Sequence, residues 1–172
     1  VVICITNDSH NREIEIIEML SNGSVDGFII SIAEETEISK EFNHFNNALA
    51  FNLPIVMFDR VANGVLCDKV ITNNRKDGEQ AVINLAESGW RNIGFASSNS
   101  HLKVSQDLLK GYYDGIHSLG QSIDEKLIIH KKVDHYSDYE SMLEPLFEDD
   151  AIDGIIASNE GVALAAMKIA QQ

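Results

Sequence analysis

The chain has 172 residues, 44% of them hydrophobic and 23% charged, with a formal net charge of -14. That is enough for one good core or two small lobes, and the globular balance of apolar and charged residues excludes a disordered chain. So acidic a surface repels phosphate, which makes this stretch a poor candidate to touch DNA or an anionic membrane itself, and no run is long and apolar enough to span a bilayer.

Two cysteines, Cys4 and Cys67, form no CxxC pair and point to a reducing compartment. The sequence opens on valine inside a strand-like run and closes on Ala170-Gln171-Gln172, which reads as a helix in progress. The chain therefore reads as a fragment of a longer protein. No signal peptide is visible at such a start.

Residues 1–6 are a β-branched run and predict a buried strand. Asn7-Asp8-Ser9 can cap the helix that follows, in which Ile14, Ile17 and Leu20, with Ile16 beside them, form one apolar stripe. A second strand spans residues 25–31. Helical spacing returns at Ile38, Phe42, Phe45 and Leu49. Residues 53–58, opened by Pro54, suit a strand buried on both faces of a parallel sheet, and the run stops at Asp59-Arg60. Asn63-Gly64 signals a turn, and residues 69–72 a strand.

Residues 77–88 predict a helix with Ala81 and Leu85 inward, stopped by Gly89. A strand follows over 92–96. Val104, Leu108, Tyr112 and Leu119 then face one way along a helix. After a strand at 126–130, Ser137-Asp138-Tyr139-Glu140 has capping-box spacing, opening a helix that buries Met142, Leu143, Leu146 and Phe147. A strand over 152–157 and an alanine-rich helix over 160–170 complete the pattern. Regular strand–helix alternation argues for an α/β fold with parallel sheets flanked by helices. Residues 25–30 echo 152–157 (Val-Asp-Gly-Phe-Ile-Ile against Ile-Asp-Gly-Ile-Ile-Ala). The echo supports two similar lobes, residues 1–72 and 73–172.

Four stretches in register carry a family resemblance. Leu53-Pro54-Ile55-Val56-Met57-Phe58-Asp59-Arg60 is followed by Val70-Ile71-Thr72-Asn73-Asn74-Arg75-Lys76-Asp77-Gly78-Glu79-Gln80-Ala81. Further on come Ala86-Glu87-Ser88-Gly89-Trp90-Arg91-Asn92-Ile93-Gly94-Phe95 and the segment from Asp153-Gly154 through Ala157-Ser158-Asn159 to Ala165-Ala166-Met167. Together they resemble the effector-binding core of LacI-type transcriptional regulators. The resemblance implies two Rossmann-like lobes, as in periplasmic binding proteins, truncated here at both ends and closing on a ligand at their hinge. The truncated piece is expected to have unpaired strand edges and low stability by itself.

The resemblance also implies site residues. Asp59 matches a family position that contacts sugar hydroxyls, and Asn159 matches another. Tyr136 lies near where the family places an aromatic that stacks on the ligand. Arg60 is placed to hydrogen-bond the ligand or to bridge to Asp59. Each has a plainer reading: a solvated ion pair at Asp59-Arg60, a surface tyrosine at Tyr136, a helix cap at Asn159. One departure stands out. Where the family has Arg-x-x-Gly, with the arginine on the effector, this chain has Leu108-Leu109-Lys110-Gly111, and Lys103 or Gln106 would have to substitute.

Other chemistry is not indicated. There is no Walker or Rossmann glycine loop and no Gly-x-Ser-x-Gly elbow. His10, His44, His101, His117, His130 and His135 show no metal-ligand spacing. Glu34-Glu35 and Asp149-Asp150 read as solvated turns. No cofactor, metal or enzymatic activity is expected. The function implied is sensing of a small effector, a sugar, by a cytoplasmic homodimer that reaches DNA through an upstream segment and has no membrane partner. Faces of the first lobe, including the helix over residues 9–20, are candidates for the dimer interface. The rival is a periplasmic sugar-binding protein of a transport system. A flavodoxin-like enzyme is a third reading, which the missing motifs disfavour.

Overall fold

The computed structural model describes residues 1–148 and 152–171, so the Asp149-Asp150 pair lies outside the described residues. The chain divides into two compact units, Val1–Thr72 and Asn73–Gln172.

The first unit is built on a three-stranded parallel sheet in the order β1-β2-β3, with β1 Phe28–Ile30, β2 Ile55–Phe58 and β3 Asp68–Val70. Three helices accompany it: α1 His10–Leu20, α2 Glu34–Ser39 and α3 Asn43–Ala50. Ile17 of α1 and Phe45 and Ala48 of α3 meet Ile55 and Met57 of β2 in one core cluster. The strand alternates. Met57 is fully buried, whereas Phe58 is 43% exposed, and the neighbouring Ile29 of β1 is 80% exposed. Strand β2 is therefore covered on one face and not on both, because α1 and α3 pack on the same side of the sheet.

Three further expectations differ from the structure. Residues 1–6 form no strand. A β-branched run has the propensity, but a strand exists only through a ladder partner, and among the described residues none pairs with it, so Val1, Val2, Ile3 and Ile5 stay exposed. The helical spacing at Ile38–Leu49 is split between α2 and α3, because Lys40 takes a left-handed conformation (φ 58°) and ends α2. Glu34 and Glu35 lie in the first turn of α2, not in a loose turn, and Glu35 accepts a 2.7 Å hydrogen bond from the His10 amide.

The second unit is doubly wound. Its parallel sheet has the order β5-β4-β6, with β4 Ile93–Ser97, β5 Ile128–His130 and β6 Gly154–Ala157. Helices α4 (Asn74–Glu87) and α5 (Lys103–Ser118) cover one face. There Val82, Ala86, Tyr112 and Ile116 pack on Ile93 and Phe95. Helices α6 (Tyr139–Phe147) and α7 (Glu160–Ile169) cover the other, with Met142, Leu143, Leu146, Val162 and Ala166 on Ala96. Strand β4 is buried along its whole length, as a central strand with helices on both faces should be.

Helices α4 and α5 cross at backbone contact. A Cβ added at Gly111 would stand 2.0 Å from the Arg75 carbonyl oxygen, and one at Gly78 would stand 2.5 Å from that of Leu108. The capping box expected at 137–140 does not form. A 3₁₀ turn over Tyr136–Asp138 comes first, the Ser137 hydroxyl donates to Asp138 Oδ1 at 3.0 Å, and the N-cap side chain of α6 makes no capping bond.

Candidate functional site

In a parallel sheet every strand delivers its C-terminal loop to the same edge, and ligands gather there. Each unit has such a rim.

In the first unit the rim is made by the loops after β1 and β2 and by the turn before α1. Asp59 follows β2 directly, in a left-handed conformation (φ 57°), and its amide donates to the Val70 carbonyl at 3.2 Å. The Asp59 side chain is exposed. Arg60 does not bridge to Asp59. Its Nη2 donates to Asp8 Oδ1 at 2.5 Å, and the same oxygen accepts from the Glu34 amide at 3.1 Å. The Arg60 carbonyl accepts from the Ile32 amide at 3.2 Å. Asn7 and Asp8 both have positive φ (51° and 60°), which folds the turn before α1 back on the rim and presents Asp8 to the guanidinium. Arg60 thus fastens three loops of this unit and keeps donors to spare.

In the second unit the rim is made by Ser97-Ser98-Asn99 after β4, the segment after β5, and Ser158-Asn159 after β6. Asn159 caps α7. Its Oδ1 accepts from the Val162 amide at 3.0 Å, while its Nδ2 donates to Ser98 Oγ at 2.9 Å and to Asn99 Oδ1 at 2.8 Å. The side chain therefore acts as a cap and as the tie between two strand ends. One acceptor lone pair on Oδ1 remains for a ligand. Tyr136 is 76% exposed, and its ring lies 5.1 Å (centroid to centroid) from that of Tyr139. It also packs on Gly161, where an added Cβ would meet Tyr136 Cε1 at 2.4 Å. Tyr136 and Asn159 therefore share the opening turn of α7, and a flat aromatic face is left open beside a polar strand end.

Leu108 is half-buried against the apolar cluster of α4 and α5 and offers nothing polar to the rim. The candidate substitutes are engaged elsewhere: Lys103 pairs with Asp107, and Gln106 Nε2 donates to the Ser100 carbonyl at 3.2 Å. Behind the rim lies a polar layer, with Ser97, Ser98 and Ser105 all buried. His130 ends β5 there, its Nδ1 buried without a partner. Burial holds the His130 imidazole below its ordinary 6.5, with a hydrogen bond from the imidazole to the Ser100 backbone working in the opposite direction.

The four expected residues thus fall into two pairs, Asp59 with Arg60 and Tyr136 with Asn159, each on its own unit. The partners that hold them, Asp8, Ser98 and Asn99, were not singled out from the sequence. Asp8 lies 52 residues from Arg60, and Ser98 lies 61 from Asn159, so no local pattern links them.

Comparison with known proteins bears on the family and the fold. The chain is 27% identical over 183 residues to the sucrose operon repressor of Streptococcus mutans, covering 99% of the chain and 49% of that protein. It is 25% identical over 170 residues to the HTH-type transcriptional regulator DegA of Bacillus subtilis, covering 99% of the chain and 50% of that protein. The chain spans about half the length of the curated relatives it matches. Among solved structures, the transcription regulator CcpA of Lactococcus lactis superposes with a TM-score of 0.76 at 17% identity, over 99% of this chain and 60% of that one. These relatives are transcriptional regulators, not enzymes. Among the described residues, no helix is long and apolar enough to cross a membrane. Residues 1–172 match the family described as periplasmic binding proteins and sugar binding domain of LacI family, and the chain belongs to that family.

Proposed function

We propose that this chain is the effector-sensing core of a LacI-type transcriptional regulator. The effector is a small polyhydroxylated molecule of the sugar class, and each unit's strand-end rim carries groups suited to such a molecule. Asp59 accepts from ligand hydroxyls, Arg60 donates from the nitrogens that Asp8 leaves free, and Asn159 accepts through its remaining lone pair. Tyr136 offers its face to the C–H side of the ring. Binding favours one of two conformations, and DNA affinity follows that equilibrium. DNA is contacted by a separate, basic segment of the complete protein, since a stretch of net charge -14 repels phosphate. The regulator works as a homodimer in the cytoplasm, because a two-fold operator needs two reading heads.

The observation that carries this reading is the composition of the two rims, in which Asp59, Arg60 and Asn159 sit just beyond the C-terminal ends of parallel strands and Tyr136 packs beside Asn159 on Gly161. The name of the sucrose operon relative supports the ligand class. Leu108 in place of a cationic side chain points to a neutral effector rather than a sugar phosphate.

The test uses the complete protein that carries this chain, in a thermal-shift screen of mono- and disaccharides, sugar phosphates and purines. A ligand at about a hundred times its dissociation constant stabilises by roughly 2.7 kcal/mol. A neutral sugar hit that weakens in Asp59→Ala and alters operator binding supports the reading. A hit with no effect on DNA binding would favour the transport role. A well-folded protein that answers to no sugar would sink the sugar assignment.

A further inference from the structure

We propose that His10, Glu13 and His44, inside the first unit, form a binding site for a first-row divalent metal ion of the zinc class. Helix α1 places His10 and Glu13 three residues apart, on one face and one turn apart. Helix α3 brings His44 to them from 31 residues along the chain. One potential ligand atom from each of the three lies within 4.8 Å of the other two. Two imidazole nitrogens with one carboxylate oxygen suit zinc, cobalt or nickel; magnesium and calcium prefer all-oxygen sites.

The carboxylate is held in place from behind. Glu13 is 1% exposed, beside the buried Ile17 and Phe45. Its Oε2 accepts from the Ala33 amide at 2.6 Å, and its Oε1 accepts from the Thr36 hydroxyl at 2.6 Å and lies 3.0 Å from His44 Nε2. The His10 and His44 rings meet edge to face, their centroids 5.3 Å apart. A carboxylate this deep needs a positive partner or a full set of donors.

Counting protons shows how tightly the cluster is set. Thr36 has one hydroxyl proton, and it goes to Glu13. His10 Nδ1, 2.9 Å from Thr36 Oγ1, must therefore donate to that oxygen. His10 Nε2 faces the Glu41 carboxylate at 3.4 Å, which also only accepts. His44 Nε2 must donate to Glu13. The metal-free cluster thus uses a ring proton on His10 Nδ1 and one on His44 Nε2.

A divalent cation takes the place of both. Each imidazole then keeps one proton on the nitrogen away from the metal, His10 on Nε2 and His44 on Nδ1, and the freed His10 Nδ1 and His44 Nε2 become ligands together with Glu13 Oε1, with water completing the tetrahedron. The outer contacts then serve the metal. The Ala33 amide keeps Glu13 Oε2, and Glu41 receives His10 Nε2–H, the carboxylate–histidine–metal arrangement common behind metal ligands. Because His10 begins two residues after Asp8, the partner of Arg60, an occupied site also steadies the first rim.

The experiment is a titration of untagged, metal-stripped complete protein with Co2+, read by its visible absorption, and with Zn2+, read by calorimetry. One saturable site per chain is expected. His10→Gln and His44→Gln should each weaken it by roughly tenfold or more. His44→Gln keeps an N–H for Glu13, so it removes the ligand while preserving the hydrogen bond. His117→Gln, an exposed histidine on α5, should change nothing. Circular dichroism checks folding; if His44→Gln does not fold, His10→Gln, at the cluster's outer edge, decides alone. No saturable binding to the wild-type protein, or binding unchanged in His10→Gln, overturns the proposal.

Discussion

Gly111→Ala gives opposite answers by local and by tertiary reasoning. Glycine inside a helix is worse than alanine by about 0.5–1 kcal/mol, so α5 read alone predicts stabilisation. The crossing with α4 predicts the reverse. The new Cβ would stand 2.0 Å from the Arg75 carbonyl oxygen and 2.8 Å from the Glu79 amide nitrogen, both backbone atoms that no rotamer change can move. To reach an ordinary contact of 3.4 Å, the helices would separate by about 1.4 Å at this point. Overpacking of this kind costs typically 1–3 kcal/mol and sometimes more, which outweighs the propensity gain. The expected net loss is roughly 1–2 kcal/mol. Urea denaturation of the complete protein, followed by a probe in the second unit, should show a lower midpoint at unchanged slope. Lys110→Ala, one residue earlier on the exposed side of α5, should stay within about 0.5 kcal/mol. A Gly111→Ala protein as stable as wild type or more so would refute the close crossing, and with it the placement of α5 behind the second rim.

Three further outcomes can be measured. Asn159→Asp keeps an oxygen for the Val162 amide but loses the donors to Ser98 and Asn99. It should retain most of the cap energy, about 1 kcal/mol, that Asn159→Ala gives up, and comparing their melting temperatures separates cap from tie. His130→Phe should flatten part of the acid limb of stability. With its folded value held below 6.5, His130 takes up fewer protons than the unfolded chain, so its contribution is complete above 6.5 and is lost as pH falls from there toward the lowered value. Denaturation at a series of pH values checks this, and an unchanged difference between the two proteins across that window would contradict it. Tyr112, buried and with its hydroxyl donating to the Ile93 carbonyl at 2.8 Å, has its phenol pushed up to about 12 by burial. Tyr112→Phe should cost about 1–2 kcal/mol by leaving that carbonyl unpaired, and in an ultraviolet pH titration Tyr112 should ionise last among the tyrosines.

Much of this architecture is legible because helix and strand leave different periods in the sequence. The alternation of apolar runs with helical stripes gives the parallel α/β class, and Gly89 marks the end of α4. Asp59-Arg60, at the end of β2, shows as a break in an apolar pattern, whereas the cap at Asn73 puts the start of α4 three residues before the expected 77. Leu108 announces itself as apolar where the family has arginine, and the structure puts it in the core cluster of α4 and α5. These features depend on neighbours within a turn or two of helix, and the chain carries that information locally.

What only the tertiary structure decided are the long-range partnerships. Whether residues 1–6 become a strand depends on a neighbour for their backbone, not on their β-branched side chains. Whether β2 is buried on one face or two depends on where α1 and α3 settle. Arg60 meets Asp8 instead of the adjacent Asp59 because a left-handed turn aims the guanidinium across the rim. Glu13 is buried in α1 because Thr36 and the Ala33 amide, at the start of α2, and His44 of α3 arrive together from two other segments. Most elements and their approximate ends are written in local sequence, with residues 1–6 and the break at Lys40 as the exceptions. Which polar groups meet was decided when parallel strands brought their ends to one edge and helices crossed at backbone distance, since those contacts join residues that no local pattern relates.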